Sequence, residues 1–120
     1  MSTSFILINL AIGPLLLMIS LLIKAFPPKK INWAYGYRTS RSRKSQEAWD
    51  ASNKYANDLM LWVAIATTIA QIVLYFVTSP ANALLISCVI MTTLLIAIVV
   101  VVENYLKNNF DSDGKKISNN

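Results

Sequence analysis

Three uncharged apolar windows constrain this chain more than any other feature: Phe5 to Ile23, Leu59 to Val77 and Ala83 to Val102. A hydrocarbon core of about 30 Å takes roughly 20 helical residues to cross, and each window is about that long. Backbone amides cannot go unpaired in lipid, and the runs are too long for barrel strands, so all three are expected to be helices. The composition agrees, since 55% hydrophobic and 14% charged residues are too apolar for an ordinary soluble domain of 120 residues. The fold class expected is an all-α integral membrane protein with three transmembrane helices plus one cytoplasmic interfacial amphipathic helix.

Charge sets the expected orientation. Eight of the eleven basic residues lie between Lys24 and Asp58, and the other three, Lys107, Lys115 and Lys116, follow the third window. With three crossings those two regions share one face, which the positive-inside bias assigns to the cytoplasm. The expectation is a multi-pass protein of a bacterial cytoplasmic (inner) membrane, N-terminus outside and C-terminus inside. No Lys or Arg precedes the first apolar stretch and no small-residue cleavage site follows it, so that stretch is expected to remain in the mature protein. Residues 1–107 then form one transmembrane domain with a cytoplasmic motif loop at 24–58, and 108–120, rich in Asn, Asp, Ser and Lys, are expected to form a disordered tail.

Local signals refine this layout. Gly13-Pro14 predicts a kink in the first helix, and Pro27-Pro28 end it. Only Thr78 to Asn82 separate the second and third windows, which predicts an antiparallel helical hairpin. From Ser45 to Asp58 a helical wheel puts Ala48, Trp49, Ala51, Ser52, Tyr55 and Ala56 on one half and Gln46, Glu47, Asp50, Asn53, Lys54, Asn57 and Asp58 on the other. Ser45 is the expected N-cap of that interfacial helix, and Asp50 with Lys54 an i, i+4 ion pair.

Several function classes find no chemistry here. Histidine is absent and the single cysteine, Cys88, sits in an apolar run, so Ser-His-Asp, Cys-His and Cys/His metal arrangements are excluded and no cofactor is expected. Glycine occurs only at positions 13, 36 and 114, too sparsely for a phosphate-cradling loop. No DNA-reading motif accompanies the basic residues, so nucleic acid is not an expected partner. The carboxylates Glu47, Asp50 and Asp58 fall on the wet face of the wheel, as ordinary solvated charge does, and the chain is expected not to be an enzyme.

What remains is the polar connection. Arg38, Arg41, Arg43 and Lys44 alternate with Thr39, Ser40, Ser42 and Ser45, a mixture suited to phosphate oxygens and to an anionic leaflet. Arg38 follows Tyr35-Gly36-Tyr37, where a glycine free to take positive φ lies among aromatics that favour the membrane interface, and structural pairing and anion binding are both open for it. Trp33, Tyr35, Tyr37, Trp49 and Tyr55 suit an anchoring belt. Asn9 and Gln71, polar residues inside the first and second windows, are expected to bond between helices rather than to form a transport site. Small residues at Ala66 and Ala70, and at Thr93 and Ala97, permit close packing and leave a homodimer open.

The run from Pro27 to Tyr55, PPKKINWAYGYRTSRSRKSQEAWDASNKY, resembles the signature of the SdpI family of small bacterial membrane proteins. The matching positions are Ile31, Asn32, Gly36, Tyr37, Arg38, Thr39, Ser42, Lys44, Ser45, Trp49 and Asn53, with Ser45 standing where many relatives carry Asn. The stretch covers about a quarter of the chain and resembles the C-terminal half of a longer immunity protein of that family, which protects its producer from a secreted membrane-active peptide and holds a transcriptional repressor at the membrane. The resemblance implies resistance to a membrane-active peptide toxin, with a signalling role through a membrane-recruited regulator as an extension. The competing reading, from the Arg, Ser and Thr residues together with Gln71 and Asn9, is a binder or transporter of a lipid phosphate or small solute, with membrane lipids as partners in either case.

Overall fold

The computed structural model describes residues 3–32 and 34–117, the side chains of residues 3–6, 9 and 10 excepted. Three helices carry it: α1 (Thr3–Ala25), α2 (Gln46–Val77) and α3 (Pro80–Asn109). The helix α1 stops with Lys24 in its last turn, where a cation meets the negative end of the helix dipole, two residues before Pro27-Pro28 remove further backbone donors. Ser45 caps α2 by accepting the Ala48 N–H at 3.0 Å. Ser79 does the same for α3 through Asn82, with Pro80 in the first turn where its missing N–H is not needed. The hairpin between α2 and α3 is therefore only Thr78 and Ser79.

At a rise of about 1.5 Å per residue, the 32 residues of α2 and the 30 of α3 each reach well beyond a 30 Å hydrocarbon core. Both are long and apolar enough to cross a membrane. The molecule is elongated, 57 × 25 × 20 Å, with α2 packed against both neighbours and α1 and α3 touching far less. Its packed core lies between the first half of α2 and the second half of α3, where Ala48, Ala56 and Val63 meet Ile98, Val102, Leu106 and Phe110. Elsewhere large apolar side chains face outward, Trp62 at 70% and Phe76 at 79% exposure among them, a surface that suits lipid and not water.

Four expectations are corrected. The amphipathic stretch after Ser45 is not a separate interfacial helix. It forms the first turns of α2 and runs without a break into the apolar segment, because no Gly or Pro interrupts Gln46 to Val77. Asn53 and Asn57, assigned to the wet half of the wheel, are buried, and Asp50 bonds the Gln46 amide at 2.8 Å rather than Lys54. The tail is not disordered over its described part: Phe110 and Lys116 form a β-bridge, and Asp111 closes the turn by accepting the Asp113 and Lys115 N–H groups at 2.9 Å each. Residues 118–120 lie outside the described residues. Pro14 lies inside α1, which continues past it to Ala25.

Candidate functional site

The long connection between α1 and α2 folds back over the start of α2. Asn32 begins it with a side-chain turn, its Oδ1 accepting the Ala34 and Tyr35 N–H groups at 2.9 Å each while its Nδ2 donates to the Lys30 carbonyl. The Tyr35 hydroxyl donates back to the Phe26 carbonyl at 3.3 Å. Gly36 then takes φ +100°, and a Cβ there would stand 2.6 Å from Asn53 Oδ1 and 2.8 Å from a Pro28 ring carbon. Only glycine meets both conditions.

That close approach lets Asn53 grip the next residue. Its Oδ1 accepts the Tyr37 N–H at 2.6 Å, and its Nδ2 donates to the Tyr37 carbonyl at 3.2 Å and the Trp49 carbonyl at 3.0 Å. One carboxamide thus pairs both backbone polar groups of one loop residue, as a neighbouring strand would. One turn earlier on α2, the fully buried Trp49 donates its indole N–H to the Pro28 carbonyl. Pro28 and Tyr37 are thereby tied to one helix face. Ser42, also fully buried, closes the far side: its hydroxyl donates to the Tyr37 and Thr39 carbonyls and accepts the Thr39 N–H at 2.8 Å, while the Thr39 hydroxyl accepts the Ser42 N–H.

The loop also reaches α3. The Tyr37 hydroxyl donates to Glu103 Oε1 at 2.6 Å, and the other oxygen of that carboxylate lies 3.6 Å from Arg41 Nε. Burial, and then the hydrogen bond and charge of Glu103, push the Tyr37 phenol above its ordinary range against a smaller opposing effect of the Thr39 hydroxyl, so it is a held donor and not a base. At the edge, Ser45 Oγ donates to the Gly114 carbonyl, and Gly114, at φ +81°, sits so close to Lys44 that a Cβ would meet the Lys44 Cβ at 2.7 Å.

The motif residues thus separate by what they do. Gly36, Tyr37, Thr39, Ser42, Trp49 and Asn53 converge on one network. Asn32 and Tyr35 shape its entrance, Ser45 caps α2 and bonds the tail turn, and Lys44 underlies that turn. Arg38 is exposed. Gln71 lies far away on α2, buried, and accepts the Gly13 N–H of α1 at 2.7 Å. The Asn9 side chain and all of Trp33 lie outside the described residues. Among the described residues no three His, Cys, Asp or Glu side chains gather where a metal ion would be held.

Two participants, Glu103 and Gly114, are not among the residues that sequence singles out. Glu103 is the first charge after the apolar run from Ala83, and that position was its signal. Gly114 is the lone glycine of the polar tail, three residues after Asp111, a turn pattern.

Residues 29–103 match the model of the SdpI/YfhL protein family. The chain belongs to the SdpI/YfhL family. The match runs from the residue after Pro28 to Glu103, so it holds the Asn53 grip on Tyr37 and the Tyr37–Glu103 bond, while the Gly114 turn lies beyond it. Among curated proteins this family member is similar to YfhL of Bacillus subtilis (strain 168), an uncharacterized protein, with 49% identity over 49 residues, 41% of this chain and 44% of the relative. The chain spans less than half the length of that relative. No solved structure matches it.

Proposed function

We propose that this is a non-enzymatic, three-span protein of a bacterial cytoplasmic membrane that protects its host from a membrane-active peptide. All three helices cross, with the N-terminus outside, and the loop platform and tail turn lie in the cytoplasm. Support for the orientation comes from the contacts between the two basic regions, since Ser45 meets Gly114 and Arg41 meets Glu103 at one end of the bundle.

The observation that carries the reading is how the motif's polar groups are used. Asn53, Ser42, Thr39 and Trp49 bond loop backbone, and Tyr37 bonds Glu103, so the signature holds a surface in shape. A fixed platform joined to apolar helices suits recognition of something that arrives through the bilayer. Membership of the family supports the protective role, which the sequence resemblance implies.

Expression in a strain sensitive to a membrane-active peptide toxin tests this, with membrane abundance of the protein matched by immunoblot. Raised survival is expected, reduced by Arg38→Ala on the exposed rim. Unchanged killing with correctly inserted protein contradicts the proposal. Labelling of an introduced Lys44→Cys in intact cells, with Cys88→Ser as background, tests the orientation, and reaction from outside contradicts it.

A further inference from the structure

Beside the platform, where α1, α2 and α3 meet, an apolar crevice of about 340 Å³ opens between Ile19 and Ile23 of α1, Met60 of α2, and Leu95 and Ile98 of α3. It shares Ile23, Asn53 and Asn57 with a second cavity of about 360 Å³ that is ringed by charge of both signs: Lys24, Lys29 and Lys54 with Asp50 and Asp58. Lys24 lies in the last turn of α1 and Asp58 precedes the apolar part of α2, so the charged ring stands at the level where a leaflet's headgroups meet its hydrocarbon. Lys24, Lys29, Lys54 and Asp58 make no ion pair among the described residues.

Asn57 stands at the junction. It is 9% exposed, yet its Oδ1 has no hydrogen-bond partner. A buried acceptor left this way is unfavourable, and a donor brought by a ligand would relieve it. Its neighbour in both walls, Asn53, is already engaged by Tyr37 and Trp49. The void beneath has Ile19, Ile23, Ala56, Met60, Leu95 and Ile98 as its apolar wall and lies where α1 and α3 scarcely touch, so a chain can enter from the bilayer.

We propose that this paired cavity holds one glycerophospholipid with a primary ammonium headgroup, of the phosphatidylethanolamine kind. Lys24, Lys29 and Lys54 take the phosphate, Asp58 and the Asn57 Oδ1 take the ammonium donors, and one acyl chain lies in the crevice between Ile19, Met60 and Leu95. The three lysines suit a phosphate, and the aspartate beside them, Asp58, suits an ammonium that an anionic glycerol headgroup does not bring. The exposed Arg41 and Lys44 line a separate hollow beside Phe110 and take no part. This assignment is independent of any protective role, because such a lipid stays bound whether or not a toxin is met.

Native mass spectrometry tests it on full-length protein equilibrated with vesicles of equal parts phosphatidylethanolamine and phosphatidylglycerol, then gently extracted. One retained phosphatidylethanolamine per chain is expected, preferred about tenfold over phosphatidylglycerol, a ratio equivalent to about 1.4 kcal/mol. Asn57→Leu, and separately the surface variant Lys54→Gln, lower retention several-fold, while Arg41→Gln leaves it unchanged. Lys54→Gln and the headgroup preference keep the test decisive if Asn57→Leu fails to fold. No retained lipid, equal retention of both headgroups, or equal loss with Arg41→Gln overturns the proposal.

Discussion

The two ends of the bundle hold themselves together by different means. At the basic end, side chains reach across to loop backbone: Asn53 to Tyr37, Trp49 to Pro28, Ser42 to Thr39, Ser45 to Gly114. In the opposite half a backbone donor meets a side chain across helices, Gly13 N–H to Gln71, and among the described residues the buried hydroxyls of Thr67 and Ser87 have no partner. The difference follows the solvent. Where water competes, an irregular loop keeps its shape only if each buried amide finds a fixed partner. Where lipid surrounds regular helices, their backbone is already satisfied and close packing is enough, as at Gly13, where a Cβ would stand 2.5 Å from Thr68 Oγ1.

If that contrast is right, the heaviest single loss comes from the platform's centre. Trp49→Ala empties a fully buried site and releases the Pro28 carbonyl, an expected destabilisation of about 3–5 kcal/mol, read by circular dichroism during denaturant titration in mild micelles. A change below about 1 kcal/mol would mean that the loop is not held through α2. Next is Asn53→Leu, which keeps bulk but strands the Tyr37 N–H and carbonyl, at about 1–3 kcal/mol for each group left unsatisfied. In the lipid-facing half, Gln71→Leu is expected to cost only about 0.6 kcal/mol, and at most about 1.7, because helices in a bilayer find other partners. A Gln71→Leu loss exceeding that of Asn53→Leu would invert the comparison.

The smallest expected effect concerns pH. The folded Tyr37 phenol titrates above its unfolded value, so the neutral form is favoured by folding, and its contribution is complete below about pH 10. As pH rises past that point the unfolded chain releases its proton first, and stability falls. Tyr37→Phe should shed this alkaline decline while leaving the profile between pH 6 and about 9 parallel to that of the wild type, as followed by the same titration.

Much of the fold was readable because charge-free runs of about 20 residues leave few alternatives. The capping role of Ser45 and the short hairpin are equally plain. The interfacial helix was misplaced for a specific reason: polarity changes sharply at Leu59, which mimics a boundary, but a helix ends where its backbone is interrupted, and nothing interrupts α2. A wheel puts Asn53 and Asn57 on the wet face because it knows only the helix itself, and what packs against them, the Tyr37 loop at Asn53, is not written in its periodicity. In the tail, bulk composition outweighed the local turn of Asp111 and Gly114. The site was legible as a set of residues, and Gly36 as a turn, but not as a network, since Tyr37 meets Glu103 66 positions away and no local spacing encodes that.

Hydrogen exchange at one amide tests the account most directly. With the protein in lipid nanodiscs, the Tyr37 N–H should exchange about as slowly as the helical amides of α2, and Asn53→Leu should release it while the amides around Gln71 stay protected. Exchange of Tyr37 at the rate of an unstructured peptide in the unaltered protein would contradict the claim that the signature is a scaffold built on backbone.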